Sequence, residues 1–275
     1  MQTRIVLTLI VAATLAGCGG SSGSEGPTVV AAFYPLAYAA QQIGGGGIDV
    51  RNLTPPGVEP HDLELSGSDI RTIADARLVL YLGRDFQPAL EDAIDSTNAH
   101  AVDLLAPSET KDPHVWLVPI RYAATAERIG EELDRRPEAE RFSTKLRALD
   151  REFRSGLSRC ERDEIVTSHA AFGYLAERYG LEQVAITGIA PEAEPTPREL
   201  ANVVRQVRAV GATTVFFETL VSPRLAETVA REVGATTAVL DPLEGLTEKE
   251  SAAGEDYFSV MRENLAALRK ALGCR

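Results

Sequence analysis

The chain has four histidines, and three of them sit where a run of strand-forming residues gives way to a loop. His61 follows the turn Pro55-Pro56-Gly57-Val58-Glu59-Pro60, and His114 lies in Asp112-Pro113-His114-Val115-Trp116. His169 lies in Thr167-Ser168-His169-Ala170-Ala171-Phe172-Gly173-Tyr174, and a carboxylate takes a similar position at Asp241 in Leu240-Asp241-Pro242-Leu243. Three neutral imidazoles and one carboxylate complete a tetrahedral ligand set for a borderline metal such as Zn²⁺. The set leaves no coordination position for water. His-Glu-x-x-His and a phosphate-binding glycine loop are absent, and the one Gly-x-Ser-x-Gly match, Gly19 to Gly23, lies in the glycine-serine tether rather than on a strand-to-helix elbow, so no catalytic residues are expected and a zinc hydrolase is the weaker reading.

Elements that could carry these side chains alternate along the chain. Strands are expected at 28–33, 48–53, 78–82 and 101–105, with helices at 35–42, 68–74 and 89–94 between them. The second half repeats the rhythm, with strands at 164–167, 183–186, 214–217 and 236–240. Its helices are 170–179, one from the capping box Thr196-Pro197-Arg198-Glu199 to Arg208, and one from Ser222-Pro223 to Gly234. Such β-α repeats imply parallel sheets with helices on both faces, and ligands then gather beyond the carboxyl ends of the strands. Between the halves a helix over 120–135 is expected to stop at Pro137, and a second to run from about Glu138 to Leu157. In that second helix Phe142, Leu146, Leu149, Phe153 and Leu157 share one narrow face. It reads as a strut joining two lobes, or as an ordinary core helix. The expected fold is α/β in two lobes, each a parallel sheet flanked by helices, joined by that single long rigid helix. The divisions are a leader over 1–17, a tether over 18–27, an N-terminal lobe over 28–136, a connecting helix over 137–158 and a C-terminal lobe over 159–275.

Hydrophobic residues at 44% and charged residues at 25% are typical of a globular body, and a formal charge of -12 without a basic stripe argues against nucleic acid. The start is different. Arg4 is the only charge before Cys18, and the apolar run from Ile5 to Leu15 is too short to span a bilayer. It ends in Leu15-Ala16-Gly17-Cys18, which resembles the bacterial lipobox, where cleavage precedes a cysteine that receives a diacylglycerol. An ordinary secretory signal is the alternative. The following Gly19-Gly20-Ser21-Ser22-Gly23-Ser24 reads as a flexible tether. In an oxidising compartment the remaining pair, Cys160 and Cys274, is expected either as a disulfide closing a long loop or as two unrelated thiols.

Taken in order, Pro-Pro-Gly-x-Glu-Pro-His, Asp-Pro-His-Val-Trp-Leu, Ser-His-x-Ala-Phe-Gly-Tyr-Leu and Asp-Pro-Leu resemble the metal-binding lipoproteins of bacterial zinc and manganese ABC importers. The resemblance takes in Glu194-Pro195-Thr196 and Phe216-Phe217-Glu218 and covers the whole body of the chain. It implies two lobes with the metal between them and maps the four ligands onto His61, His114, His169 and Asp241. It also implies delivery to an ABC permease in the cytoplasmic membrane by a monomer anchored to its outer face through lipidated Cys18. The long His-rich loop that zinc-importing members often carry before the second ligand is missing, since 105–112 is short and has no histidine. Manganese-type relatives tend to place a carboxylate third, whereas His169 stands here, which favours Zn²⁺ over Mn²⁺ or Fe²⁺. A surface adhesin stabilised by its metal is a further alternative. Around the ion, Glu59 is expected to support a ligand or to lie exposed on its turn. Asp62 and Asp112 are expected to be solvated or helix-related charges, Trp116 and Phe172 to be cleft walls or core, and His100 to be a surface residue.

Overall fold

Short runs such as Thr-Val-Val-Ala and Leu-Val-Leu-Tyr, apolar on both faces, are satisfied only between two layers of helix. The computed structural model describes residues 28–105, 112–191 and 195–275, and there these runs form two parallel four-stranded sheets. The expected leader, the tether, Cys18, Glu194 and most of the loop before Asp112 lie outside the described residues.

The first sheet alternates β1 (Thr28–Ala31), α1 (Tyr34–Gly44), β2 (Asp49–Asn52), α2 (Gly67–Asp75), β3 (Leu78–Tyr81), α3 (Pro88–Thr97) and β4 (Ala101–Asp103). Then come α4 (Pro119–Glu132) and α5 (Arg136–Gly156). The second sheet is built from β5 (Glu164–Thr167), α6 (Gly173–Tyr179), β6 (Glu182–Ala185), α7 (Pro197–Val210), β7 (Thr214–Phe217), α8 (Arg224–Val233) and β8 (Thr236–Val239). The chain closes with α9 (Glu248–Ala253) and α10 (Tyr257–Leu272). Strand orders are β2-β1-β3-β4 and β6-β5-β7-β8, so each sheet reverses its winding direction once, as doubly wound sheets do. The two lobes are therefore alike in topology.

The connecting region departs from expectation in one respect. Pro137 does not stop α4. That helix ends at Glu132, the chain turns through Asp134 at φ 54°, and Pro137 lies in the first turn of α5, where a missing N–H costs nothing. The 21 residues of α5 extend about 31 Å and bury Phe142, Leu146, Leu149 and Phe153. One continuous core runs from the first sheet through α4 and α5 to Leu240, Leu243 and α10. A smaller cluster around Val207, Val215 and Val229 fills the far side of the second sheet. Beyond the expected elements, α10 starts at an Asp256 cap and buries Tyr257, Val260, Met261 and Leu268. Cys160, just after α5, is joined by a disulfide to Cys274, just after α10.

Candidate metal centre

Each of the three expected imidazoles is delivered by a loop at the carboxyl end of a strand. His61 comes from the loop after β2, in a short 3-10 turn capped by the Glu59 carboxylate, which accepts from the His61 N–H at 3.1 Å. Gln87 fixes the same loop by donating to the Pro60 carbonyl at 3.1 Å. His114 follows β4 and precedes a turn that buries Trp116, whose indole N–H donates to the Pro242 carbonyl at 2.7 Å. His169 follows β5, and its carbonyl accepts from both the Thr167 hydroxyl and the Gln183 amide. His114 and His169 are fully buried, and His61 is nearly so.

The carboxylate that the structure brings beside the three imidazoles is that of Glu244 and not, as expected, that of Asp241. Ligand-capable atoms of His61, His114, His169 and Glu244 all lie within 4.8 Å of one another. Glu244 Oε1 is 3.4 Å from His61 Nε2, 2.9 Å from His114 Nε2 and 3.5 Å from His169 Nε2. Asp241 is buried, but its carboxylate is consumed by its own turn. Oδ1 accepts from the Leu243 N–H at 2.6 Å, and Oδ2 accepts from the Thr219 hydroxyl at 2.9 Å. The Asn264 side chain clamps the Asp241 backbone, accepting from its N–H at 2.8 Å and donating to its carbonyl at 2.7 Å. This Asx-type turn drives Leu243 to φ 54°, and the chain then presents Glu244 to the cleft. Asp241 thus shapes the loop that carries the donor.

The outer nitrogens of two rings are also committed. His114 Nδ1 lies 2.7 Å from Asp112 Oδ1, and His169 Nδ1 lies 2.6 Å from Glu218 Oε1. A carboxylate on Nδ1 fixes the tautomer that leaves the Nε2 lone pair for a metal and raises its basicity. Asp112, expected to be solvated, is half-buried and also accepts the His114 N–H at 3.0 Å. Glu218 went unassigned in the sequence because nothing in Phe-Phe-Glu shows that β7 runs beside β5. Glu59, rather than lying exposed on its turn, is buried against Glu244. Trp116 and Phe172 are core, Asp62 is exposed, and His100 is exposed with its ring against the Arg77 carbonyl.

The electrostatics follow from burying so many charges together. Burial opposes a charge on His169, but Glu218 and Glu244 outweigh it and raise the imidazole to about 10. Burial likewise works against a charged His114, and Asp112 and Glu244 overcome it and move that ring upward. Burial would raise Glu244, yet the imidazoles of His114, His169 and His61 gathered around it hold it well below the carboxylate range. Glu59 is pushed the other way, by burial first and then by the Glu244 charge.

A divalent ion fits this cluster on the structure's own terms. His61 Nε2 and Glu244 Oε2 are buried with no hydrogen-bond partner among the described residues, and the His114 and His169 Nε2 atoms face each other at 3.3 Å. Leaving such groups unmet is costly, and one cation with nitrogen and oxygen ligands near 2 Å answers all of them.

Two doubly wound lobes around a buried three-histidine, one-carboxylate nest define a solute-binding protein of the metal type. The family model described as zinc-uptake complex component A, periplasmic (ZnuA), matches residues 29–271, and the chain belongs to that family. Among relatives, it is 34% identical over 303 residues to the zinc-binding lipoprotein AdcA of Streptococcus pneumoniae, covering 98% of this chain and 60% of that one. It is 34% identical over 298 residues to the high-affinity zinc uptake system protein ZnuA of Bacillus subtilis, covering 94% and 93%. The Zn(II)-bound ZnuA-like domain of S. pneumoniae AdcA superposes with a TM-score of 0.76 at 35% identity, over 90% of this chain and 99% of that one. The laminin-binding protein Lmb of Streptococcus agalactiae, described as bifunctional with adhesin and metal transporting activity, superposes with a TM-score of 0.82 at 29% identity, over 90% and 100%. The chain spans about 55–60% of the length of the streptococcal AdcA relatives it matches.

Proposed function

We propose that this chain captures Zn²⁺ as cargo in the cleft between its lobes, through His61, His114, His169 and Glu244, and hands it to an ABC permease. The observation that carries the reading is the convergence of three Nε2 atoms and one carboxylate oxygen within 4.8 Å, two of the rings being backed by carboxylates. Three nitrogens and one oxygen favour Zn²⁺ over the harder Mn²⁺. Four protein donors around a buried ion leave little room for an activated water, which supports binding over hydrolysis. Membrane attachment through Cys18 is supported by the name of the pneumococcal relative, a lipoprotein aligned over 98% of this chain.

Capture is an exchange of protons for metal. Asp112 and Glu218 keep the Nδ1–H bonds of their rings, while the protons held between Glu244 and the Nε2 atoms leave as the ion enters. Release at the permease requires only that the loops bearing His61 and Glu244 part. They touch where the Gly57 N–H donates to the Leu246 carbonyl at 2.8 Å.

Isothermal titration with competing chelator tests the reading. The native protein should bind one Zn²⁺ tightly, more tightly than Mn²⁺, and His169→Ala should weaken zinc by at least about a hundredfold, given that loss of a supporting partner alone costs 10–100-fold. Unchanged affinity in that variant would remove the assignment.

A further inference from the structure

The three imidazoles that converge in the cleft are not held alike. His114 and His169 are fully buried, and each has its Nδ1 on a carboxylate, Asp112 at 2.7 Å and Glu218 at 2.6 Å. The His61 side chain stays 9% exposed, and among the described residues no carboxylate is hydrogen-bonded to its Nδ1. What holds this ring is apolar. The Phe86 ring meets it edge to face with centroids 4.6 Å apart, and Phe86 in turn packs on Phe33 at 5.0 Å and on Trp116 at 6.1 Å. The next residue, Gln87, holds the backbone of the same loop. Its amide donates to the Pro60 carbonyl at 3.1 Å and to the Thr54 hydroxyl at 3.3 Å.

Phe86 and Gln87 lie on the turn from Gly83 to Gln87, between β3 and α3, beside the point where the first sheet reverses its winding. That turn is strained. Arg84 and Asp85 take φ of 70° and 63° in succession, in the left-handed region that an arginine seldom enters. Two carboxylates hold the backbone there, Asp103 accepting from the Gly83 N–H at 3.0 Å and Glu91 from the Asp85 N–H at 2.9 Å. Gln87 carries a further cost, because its Oε1 is buried with no partner among the described residues. Strained backbone and unmet polar atoms persist only where the surroundings impose them, and they gather at ligand clamps. What this path achieves is to set Phe86 against the His61 ring while Gln87 reaches the Pro60 carbonyl.

We propose that the turn 83–87 is the positioning element of His61, doing for that ring what Asp112 and Glu218 do for the other two, and that His61 is the donor through which a bound ion leaves. This rests on the metal-binding reading put forward above. A ring tied to a carboxylate through Nδ1 cannot swing away from an ion on Nε2 without breaking a charge-assisted hydrogen bond. A ring held by an aromatic edge can, at the loss of van der Waals contact alone. The His61 loop is also the one that meets the second lobe, through the Gly57 N–H and the Leu246 carbonyl, so the ring moves when those loops part. Phe86 and Gln87 then set how readily it goes.

The test follows zinc dissociation into excess chelator by stopped flow. Phe86→Leu should speed it by about tenfold, the lower end of what losing a partner behind a metal-binding histidine does. Gln87→Met, which removes the bonds to Pro60 and Thr54 and spares the ring contact, should act in the same direction. Phe153→Leu removes an equally buried aromatic on α5, and it should lower the melting temperature while leaving dissociation unchanged. In His61→Ala, adding Phe86→Leu should have no further effect, whereas in His114→Ala it should still speed dissociation, because a residue acting only through His61 is silent once His61 is gone. Imidazole nitrogen spectra of zinc-loaded Phe86→Leu give a second readout. The His61 signals should broaden, with those of His114 and His169 as in the native protein. Equal acceleration in Phe86→Leu and Phe153→Leu, an undiminished Phe86→Leu effect in His61→Ala, or like broadening of all three rings would overturn the proposal. So would native rates in both Phe86→Leu and Gln87→Met. A native protein that takes up no zinc would instead defeat the reading of the cleft, and this proposal with it.

Discussion

At the scale of single residues, the division of labour between Asp241 and Glu244 is decided by hydrogen bonds already made. Asp241 has both oxygens occupied inside its own turn, and Glu244 keeps Oε2 unmet beside three imidazoles. Glu244→Gln should therefore weaken zinc by at least about a hundredfold, read by chelator competition. Asp241→Asn, which keeps an oxygen for the Leu243 N–H, should leave zinc affinity within a few-fold and lower the melting temperature instead. Protons give a second prediction. In the metal-free protein His169 is raised to about 10 from an ordinary 6.5. Its contribution to stability is thus complete below about 6.5 and lost as pH rises through about 10. The metal-free melting temperature should fall between pH 7 and 10, less steeply in Glu218→Gln. Zinc affinity has the opposite slope, dropping about tenfold per pH unit for each proton displaced as the solution is acidified, and the released protons can be counted by titration in buffers of different ionisation enthalpy. The three histidines were legible in the sequence because each follows a strand within a distinctive loop. The fourth donor was not, since two carboxylates three positions apart look alike until one is seen bonded to its own backbone.

At the scale of elements, the antiparallel pair α4 and α5 sets how the lobes are held. A Cβ placed on Gly130 would come within 2.3 Å of the Ala139 Cβ, so the helices approach as closely as a missing side chain permits. Gly130→Ala must push them apart and should cost about 1–3 kcal/mol of stability by denaturant melting, as overpacked cores do. Zinc affinity should change far less, because none of the four donors is on either helix. The heptad-like face of α5 was readable from Phe142 to Phe153. Its start was not, because a proline that terminates one helix and a proline that opens the next have the same sequence signature until the intervening turn at Asp134 is seen.

At the scale of the whole molecule, the four candidate donors come from both lobes, so an ion held by them would act as a clasp between the lobes. Anything that binds only the folded, closed arrangement stabilises it by mass action, so free Zn²⁺ at a hundred times its Kd should add about 2.7 kcal/mol. Calorimetric melting should show this in the native protein and much less in Glu244→Gln. The continuous core through α4, α5 and α10 limits the motion available on release to loops and modest lobe shifts. By itself the sequence determined the doubly wound halves, the long helix between them and three imidazoles at strand ends, because strand and helix periodicity and turn chemistry are local and repeat. Only the tertiary structure decided which carboxylate lies beside the three imidazoles and which acids back the rings. Apart from Asp112, two positions from its ring, those contacts join residues 49 and 130 positions apart in the chain, Glu218 with His169 and Glu244 with His114, which no local pattern encodes.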